Sequence, residues 1–106
     1  MTVYSFWRSF VFAVGLFFLV GCVNFPPPIE DYTLADAALK AAKSVQSVRY
    51  SPGFWHQAEE FYRQARILYR EREYEQAKDL FVQARLAAEK AENSARLIRQ
   101  KNGDIL

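Results

Sequence analysis

Few side chains in this 106-residue chain are of a kind that could do chemistry. His56 is the only histidine, and the companion that a helix would set beside it is Glu60, four residues on. Two such ligands fall short of the three or four that a stable zinc site takes, so the two read as a solvated surface pair. Glu71, Glu75 and Asp79 step by four residues, but they line up only on an unbroken helix and stand among Arg70, Arg72 and Lys78. That alternation belongs to a charged, solvent-facing helix side rather than to two carboxylates sharing a cleft. No glycine-rich loop offers to cradle a phosphate, and no serine or threonine stands in a nucleophile's setting. The expectation is a chain with no catalytic residue, no metal-ligand set, no cofactor and no small-molecule substrate. The remaining reactive group is the single cysteine, Cys22, in the stretch FLVGCVNFPPP, where an apolar N-terminus gives way to prolines.

The segment before Cys22 decides what that thiol is for. From Phe10 to Val23 there is no charge, and Arg8 is the only charged side chain ahead of that run. A short cationic start, an apolar centre of about 7–15 residues and a small residue at the junction describe a secretory signal peptide. A spanning helix would need roughly 20 apolar residues. Residues 1–21 are therefore read as a targeting helix outside the folded domain.

The order Leu19, Val20, Gly21, Cys22 resembles the lipobox of bacterial lipoproteins. The resemblance implies cleavage between Gly21 and Cys22, diacylation of the Cys22 thiol and, in most members, acylation of the new amine. One acyl chain is a marginal anchor and two or more are a stable one, at about 0.8 kcal/mol per buried methylene. Val23 follows the cysteine where, in sorting of the enterobacterial kind, an aspartate would favour the inner membrane. The implied location is the bacterial envelope, on the periplasmic face of the outer membrane.

The rest of the chain has the means to fold and little else. The balance of 51% hydrophobic and 25% charged residues is ordinary for a globular domain. With Cys22 taken, no intrachain disulfide can form, so stability must come from packing. Loss of Arg8 leaves a nearly neutral domain with no basic stripe, and nothing asks for nucleic acid. Residues 22–32 read as the lipidated cysteine and a tether, because Pro26, Pro27 and Pro28 favour an extended spacer of about 3.1 Å per residue.

From Thr33 onward the period is helical. Thr33 with Asp36 three residues later looks like a capping box, and starts a helix over 34–50 with the stripe Leu34, Ala38, Ala41, Val45, Val48. Pro52 disfavours helical geometry at Ser51 and ends it, and Ser51 as N-cap with Pro52 at the first position starts a second helix over 53–71. Its stripe is Phe54, Ala58, Phe61, Ala65, Leu68, flanked by Trp55, Tyr62 and Tyr69. The stripe restarts out of phase at Tyr74 and Ala77, which places a turn near Arg72 and Glu73 although no glycine or proline marks it. A third helix over 74–101 follows with Phe81, Ala84, Ala88, Ala91, Ala95 and Ile98, and stops at Asn102 and Gly103; residues 104–106 are a tail.

The expected fold is all-α, an antiparallel three-helix bundle preceded by the signal helix. Residues Ala58 to Ala91 resemble one tetratricopeptide repeat, with Ala65 at the small position of the first helix, Tyr74 and Ala77 in EYEQA, then Phe81 and Ala84. Phe61, Ala65 and Glu89 depart from the tryptophan, glycine and proline usual there, and one repeat cannot build the groove that about three make. The stretch from Tyr50 to Leu97 also resembles small bacterial lipoproteins with an alanine-rich helical domain of unassigned function. Two surfaces could bind. The third helix, roughly 42 Å long at 1.5 Å per residue, should overhang its neighbours and present Ala91, Ala95, Leu97 and Ile98. Tyr62, Arg66, Tyr69 and Arg70 fall on the face that lines the ligand surface in tetratricopeptide proteins, unless the first helix covers the tyrosines as core. The functional expectation is a non-catalytic, membrane-anchored module whose partner is an envelope protein or a second copy. The alternative is a passive spacer of the envelope or peptidoglycan layer.

Overall fold

Three prolines hand the chain over to its first packed helix. The computed structural model describes residues 2–18 and 25–103, and among them every regular element is a helix. α1 spans Thr2–Phe18, α2 Ile29–Ser44, α3 Ser47–Tyr50, α4 Pro52–Arg70 and α5 Tyr74–Lys101. α1 exposes Trp7, Phe10 and Phe12 and packs against none of the other helices. Among the described residues no helix is long and apolar enough to cross a membrane. Leu19, Val20, Gly21 and Cys22, and with them the cleavage and lipid sites, lie outside the described residues.

α2 starts five residues earlier than the Thr33 capping box predicts. Pro28 holds the N-cap position, where no amide is required of it, and Tyr32 N–H already donates to the Pro28 carbonyl at 3.0 Å. Glu30 and Asp31 then place negative charge against the positive end of the helix. The Thr33 hydroxyl turns back to the Ile29 carbonyl at 2.9 Å, the bond a threonine makes inside a helix rather than at its cap. Residues 29–32, expected in the tether, thus belong to α2, and Tyr32 packs against the core.

The buried face of α2 also differs by one position from the predicted stripe. Ala35, Leu39 and Ala42 are buried; of the predicted stripe Val45 is buried, Leu34 and Val48 are exposed, and Ala38 and Ala41 are half-covered. With helix start misjudged, the alanine-rich run AALKAAKS fits two phases equally well, and packing against α5 selects the one that carries Leu39. The helix then breaks where no breaker stands. Gln46 adopts a left-handed conformation (φ 62°, ψ 41°), its amide bonded to the Lys43 carbonyl at 3.0 Å, and the single turn α3 resumes at Ser47.

Ser51 sits at the N-cap of α4 with Pro52 in the first turn, as expected, although its hydroxyl makes no cap bond. α4 and α5 are separated by a Schellman turn. Glu73 N–H donates to the Leu68 carbonyl at 2.9 Å and Arg72 N–H to the Tyr69 carbonyl at 3.1 Å, with Arg72 left-handed at φ 62°. The turn near Arg72 and Glu73 thus forms without glycine. At the far end α5 stops at Lys101, and Gly103 supplies the left-handed residue at φ 76°.

The directions of the helices follow from who meets whom. Trp55 and Ala58 of α4 share a core with Ala87, Ala88 and Ala91 of α5, while Ala65 shares another with Ala77, Phe81 and Ala84, so these helices run in opposite senses. α2 runs with α5, since Ala35 joins the Phe81 group and Leu39 and Ala42 join the Ala88 group. α5 is the axis: both α4 and α2 pack along it, and α2 and α4 meet through side chains, Leu39 and Ala42 with Trp55 and Ala58 and Tyr32 with Tyr62 and Tyr69. Its stripe Ala77, Phe81, Ala84, Ala88, Ala91, Ala95 is fully buried, as the spacing predicts.

Candidate functional site

The two surfaces picked out from sequence have different fates. The first, the supposed overhang of α5, is covered. Ala91 and Ala95 have no exposed surface, and Ile98 is half-buried. Ala91 packs with Leu39, Ala42, Trp55 and Ala58, and beyond it α3 carries the chain past the end of α2 and lies against α5 near Arg99. Leu97 alone of the four remains on the surface, at 58% exposure, because it points away from that contact.

What lies beneath α3 was not legible as a site. Arg99 is 8% exposed, and its Nη1 donates to the Val45 carbonyl at 3.1 Å. Val45 ends α2, so the guanidinium satisfies one of the carbonyls that a helix end leaves without a partner. The same guanidinium lies 5.7 Å from the Tyr50 ring centre, and that of Arg49 lies 5.3 Å from it. Ser47 is fully buried, and neither its Oγ nor Arg99 Nε has a hydrogen-bond partner among the described residues. Arg99 stands four residues after Ala95 on the buried stripe, which is the signal that could have found it.

The second surface, Tyr62, Arg66, Tyr69 and Arg70, divides into core and rim. Tyr62 and Tyr69 are half-buried, and Tyr32 of α2 meets them edge-on at 5.9 and 5.2 Å. Tyr32 also lies 4.5 Å from Phe81, and Tyr69 continues to Tyr74 at 5.5 Å, so five rings form one cluster. The Tyr62 hydroxyl donates to Asp36 Oδ1 at 3.1 Å, and Lys40 Nζ holds the other carboxylate oxygen at 2.8 Å. Lys40, and then Tyr62, keep the Asp36 carboxyl below its ordinary range against the opposing pull of partial burial. Burial first, and then the Asp36 charge, push the Tyr62 phenol well above its ordinary value. Arg66 lies over the Tyr62 ring at 5.6 Å, and Arg70 is exposed at the end of α4. α2 covers the tyrosines in part, and the two arginines are exposed.

The groups first considered for chemistry are otherwise engaged. His56 Nδ1 lies 3.9 Å from Glu59, not from Glu60, which takes hydrogen bonds from Arg63 and Gln64. A three-residue step and a four-residue step both fit a helix, and the arginine competes successfully for the second. Among the described residues no three histidine, cysteine or acidic side chains gather closely enough to hold a metal ion.

A family model described as Domain of unknown function (DUF4398) matches residues 30–103, from the first turn of α2 to the end of α5. No curated protein and no solved structure matches the chain.

Proposed function

Because the chain belongs to the DUF4398 family, a domain of unknown function, we propose its role from its own geometry: a lipid-anchored, non-catalytic interaction module of a bacterial envelope. In this reading residues 1–21 are removed as a lipoprotein signal, and Cys22 carries the lipid. The domain is an antiparallel three-helix bundle of α2, α4 and α5, in which α4 and α5 form a tetratricopeptide-like hairpin. Ala65 and Ala84, both buried at the crossing, support the hairpin reading.

The observation that carries the proposal is one of placement. Only residues 23–28 separate Cys22 from α2, at most about 20 Å of extended chain. The lipid would thus hold one defined end of the domain near the membrane, the end made by the start of α2 and the α4–α5 turn. Exposed apolar side chains stand at both ends, Ile29 and Leu34 beside the tether and Val48, Phe54 and Leu97 at the far end. A short tether leaves the far set facing away from the bilayer, where a partner can reach it. Val23 after the lipidated cysteine favours the periplasmic face of the outer membrane.

Intact mass of the chain extracted from bacterial membranes tests the anchor. A polypeptide beginning at Cys22 and heavier than its sequence by two or three acyl chains is expected, with Cys22→Ser giving an unprocessed, unacylated form. An unacylated chain that retains residues 1–21 in the wild type would refute it.

A further inference from the structure

The chain ahead of α2 does not stand free of the domain. Pro28 is buried, and the Tyr32 and Ile29 amides donate to the Pro28 and Pro27 carbonyls at 3.0 and 2.9 Å, so the last prolines are built into the helix start. Before them, the Phe25 ring lies 5.9 Å from Lys78 Nζ, on the second turn of α5. Lys78 is exposed and forms no ion pair with a described carboxylate, and Phe25 keeps 38% of its surface exposed. Part of the expected spacer is thus folded onto the domain, and only Val23 and Asn24 stand between Phe25 and Cys22. Three residue steps span at most about 10 Å of chain.

We propose that Phe25 and Lys78 form a seat by which the domain rests on the bilayer, with the Phe25 ring in the headgroup layer and the Lys78 ammonium on a phospholipid phosphate. The inference rests on the reading of Cys22 as the lipidated residue and adds which corner of the domain meets the lipid. Acyl chains on Cys22 fix that residue at the membrane interface, and the chain from there to Phe25 is too short to carry the ring far from it. Aromatic rings settle at headgroup level, and a lysine beside one keeps its stem on apolar surface while the ammonium reaches the phosphates. At this end of the bundle Glu30, Asp31, Glu71, Glu73, Glu75 and Asp79 outnumber Arg70, Arg72 and Lys78. An anionic bilayer is therefore opposed, and a zwitterionic one, which offers a phosphate to Lys78 and a cation to the carboxylates, fits.

The test uses the full chain, processed in bacteria and reconstituted in vesicles of phosphatidylethanolamine and phosphatidylcholine that carry a nitroxide on some headgroups. A fluorophore is attached through Glu75→Cys, one helical turn from Lys78 on the same side, or through Leu97→Cys, about 33 Å further along α5. The nitroxide should quench at least about half of the emission at position 75 and at most about a tenth at position 97, the distance along the helix setting the contrast. Phe25→Ser with Lys78→Gln should cut the quenching at position 75 about threefold, and Lys78→Arg should preserve it, since either cation can hold both ring and phosphate. Circular dichroism checks that the helices of the double variant are intact. The seat is overturned by equal quenching at the two positions, by quenching at 75 that ignores the double variant, or by quenching that appears only once anionic lipid is added. An acylated chain that shows no quenching at 75 also overturns it and leaves the anchor standing. The mass of the chain in the same vesicles separates that result from a failure of the anchor, in which the wild type carries no acyl chain.

Discussion

The two halves of the helical domain are stabilised by different means. Toward the tether, Phe81 is fully buried and stands among Tyr32, Tyr62 and Tyr69, and the Tyr62 phenol donates to Asp36, which Lys40 also holds. Toward the other end the buried stripe of α5 is alanine throughout, Trp55 is the one large buried ring, and Arg99 and Ser47 carry buried polar atoms without partners. The contrast teaches where each task lies. Interlocking rings hold the helices together at one end, while the other is held by alanine packing and keeps buried polar atoms without partners.

Substitutions can break this contrast from either side. Phe81→Ala should have the largest effect, about 3–5 kcal/mol by urea unfolding, because nothing near it can collapse to fill the lost ring. Arg99→Ala should cost about 2–3 kcal/mol, through an unsatisfied Val45 carbonyl and the lost packing of the side-chain stem. Tyr62→Phe should cost about 1 kcal/mol near neutral pH by releasing Asp36. Ser47→Ala should have the opposite sign and stabilise by up to about 1 kcal/mol, since it removes a buried hydroxyl that bonds to nothing. A destabilising Ser47→Ala would mean that the remote end is as well satisfied as the aromatic one.

Acid and alkali sharpen the same comparison with smaller effects. The Asp36 carboxyl is held below its ordinary value in the folded state, so its contribution is present above about pH 4 and is lost as pH falls through the lower, folded value. The Tyr62 phenol is raised, so its contribution is complete below about pH 10 and is lost as the unfolded chain ionises above that. Tyr62→Phe should therefore lessen the loss of stability between about pH 10 and 12, followed by helix content.

The sequence shows α5 well because alanine and phenylalanine recur on one face for about five turns, and because Asn102–Gly103 closes it. It shows α2 poorly, because two phases of an alanine-rich run are equally apolar and only contact with α5 decides between them. The left-handed residues Gln46 and Arg72 explain the remaining differences. A turn made by a residue without a turn preference is marked only by a change of phase, which located Arg72 but not Gln46. Missing Gln46 meant missing α3, and without α3 the end of α5 looked bare. Tyr62 and Tyr69 were visible as a face, but whether α2 covers that face depends on its length and start.

Hydrogen exchange of the full chain, read amide by amide, tests the division between the two ends most directly. Amides of residues 77–84 and 62–69 should exchange only through global unfolding, while those of 41–44, 55–59 and 92–99 open locally at lower free energy. Residues 62–69 also reach the end of a helix, so helix-end fraying alone would not produce the difference. Equal protection of the two ends in all three helices would contradict the account.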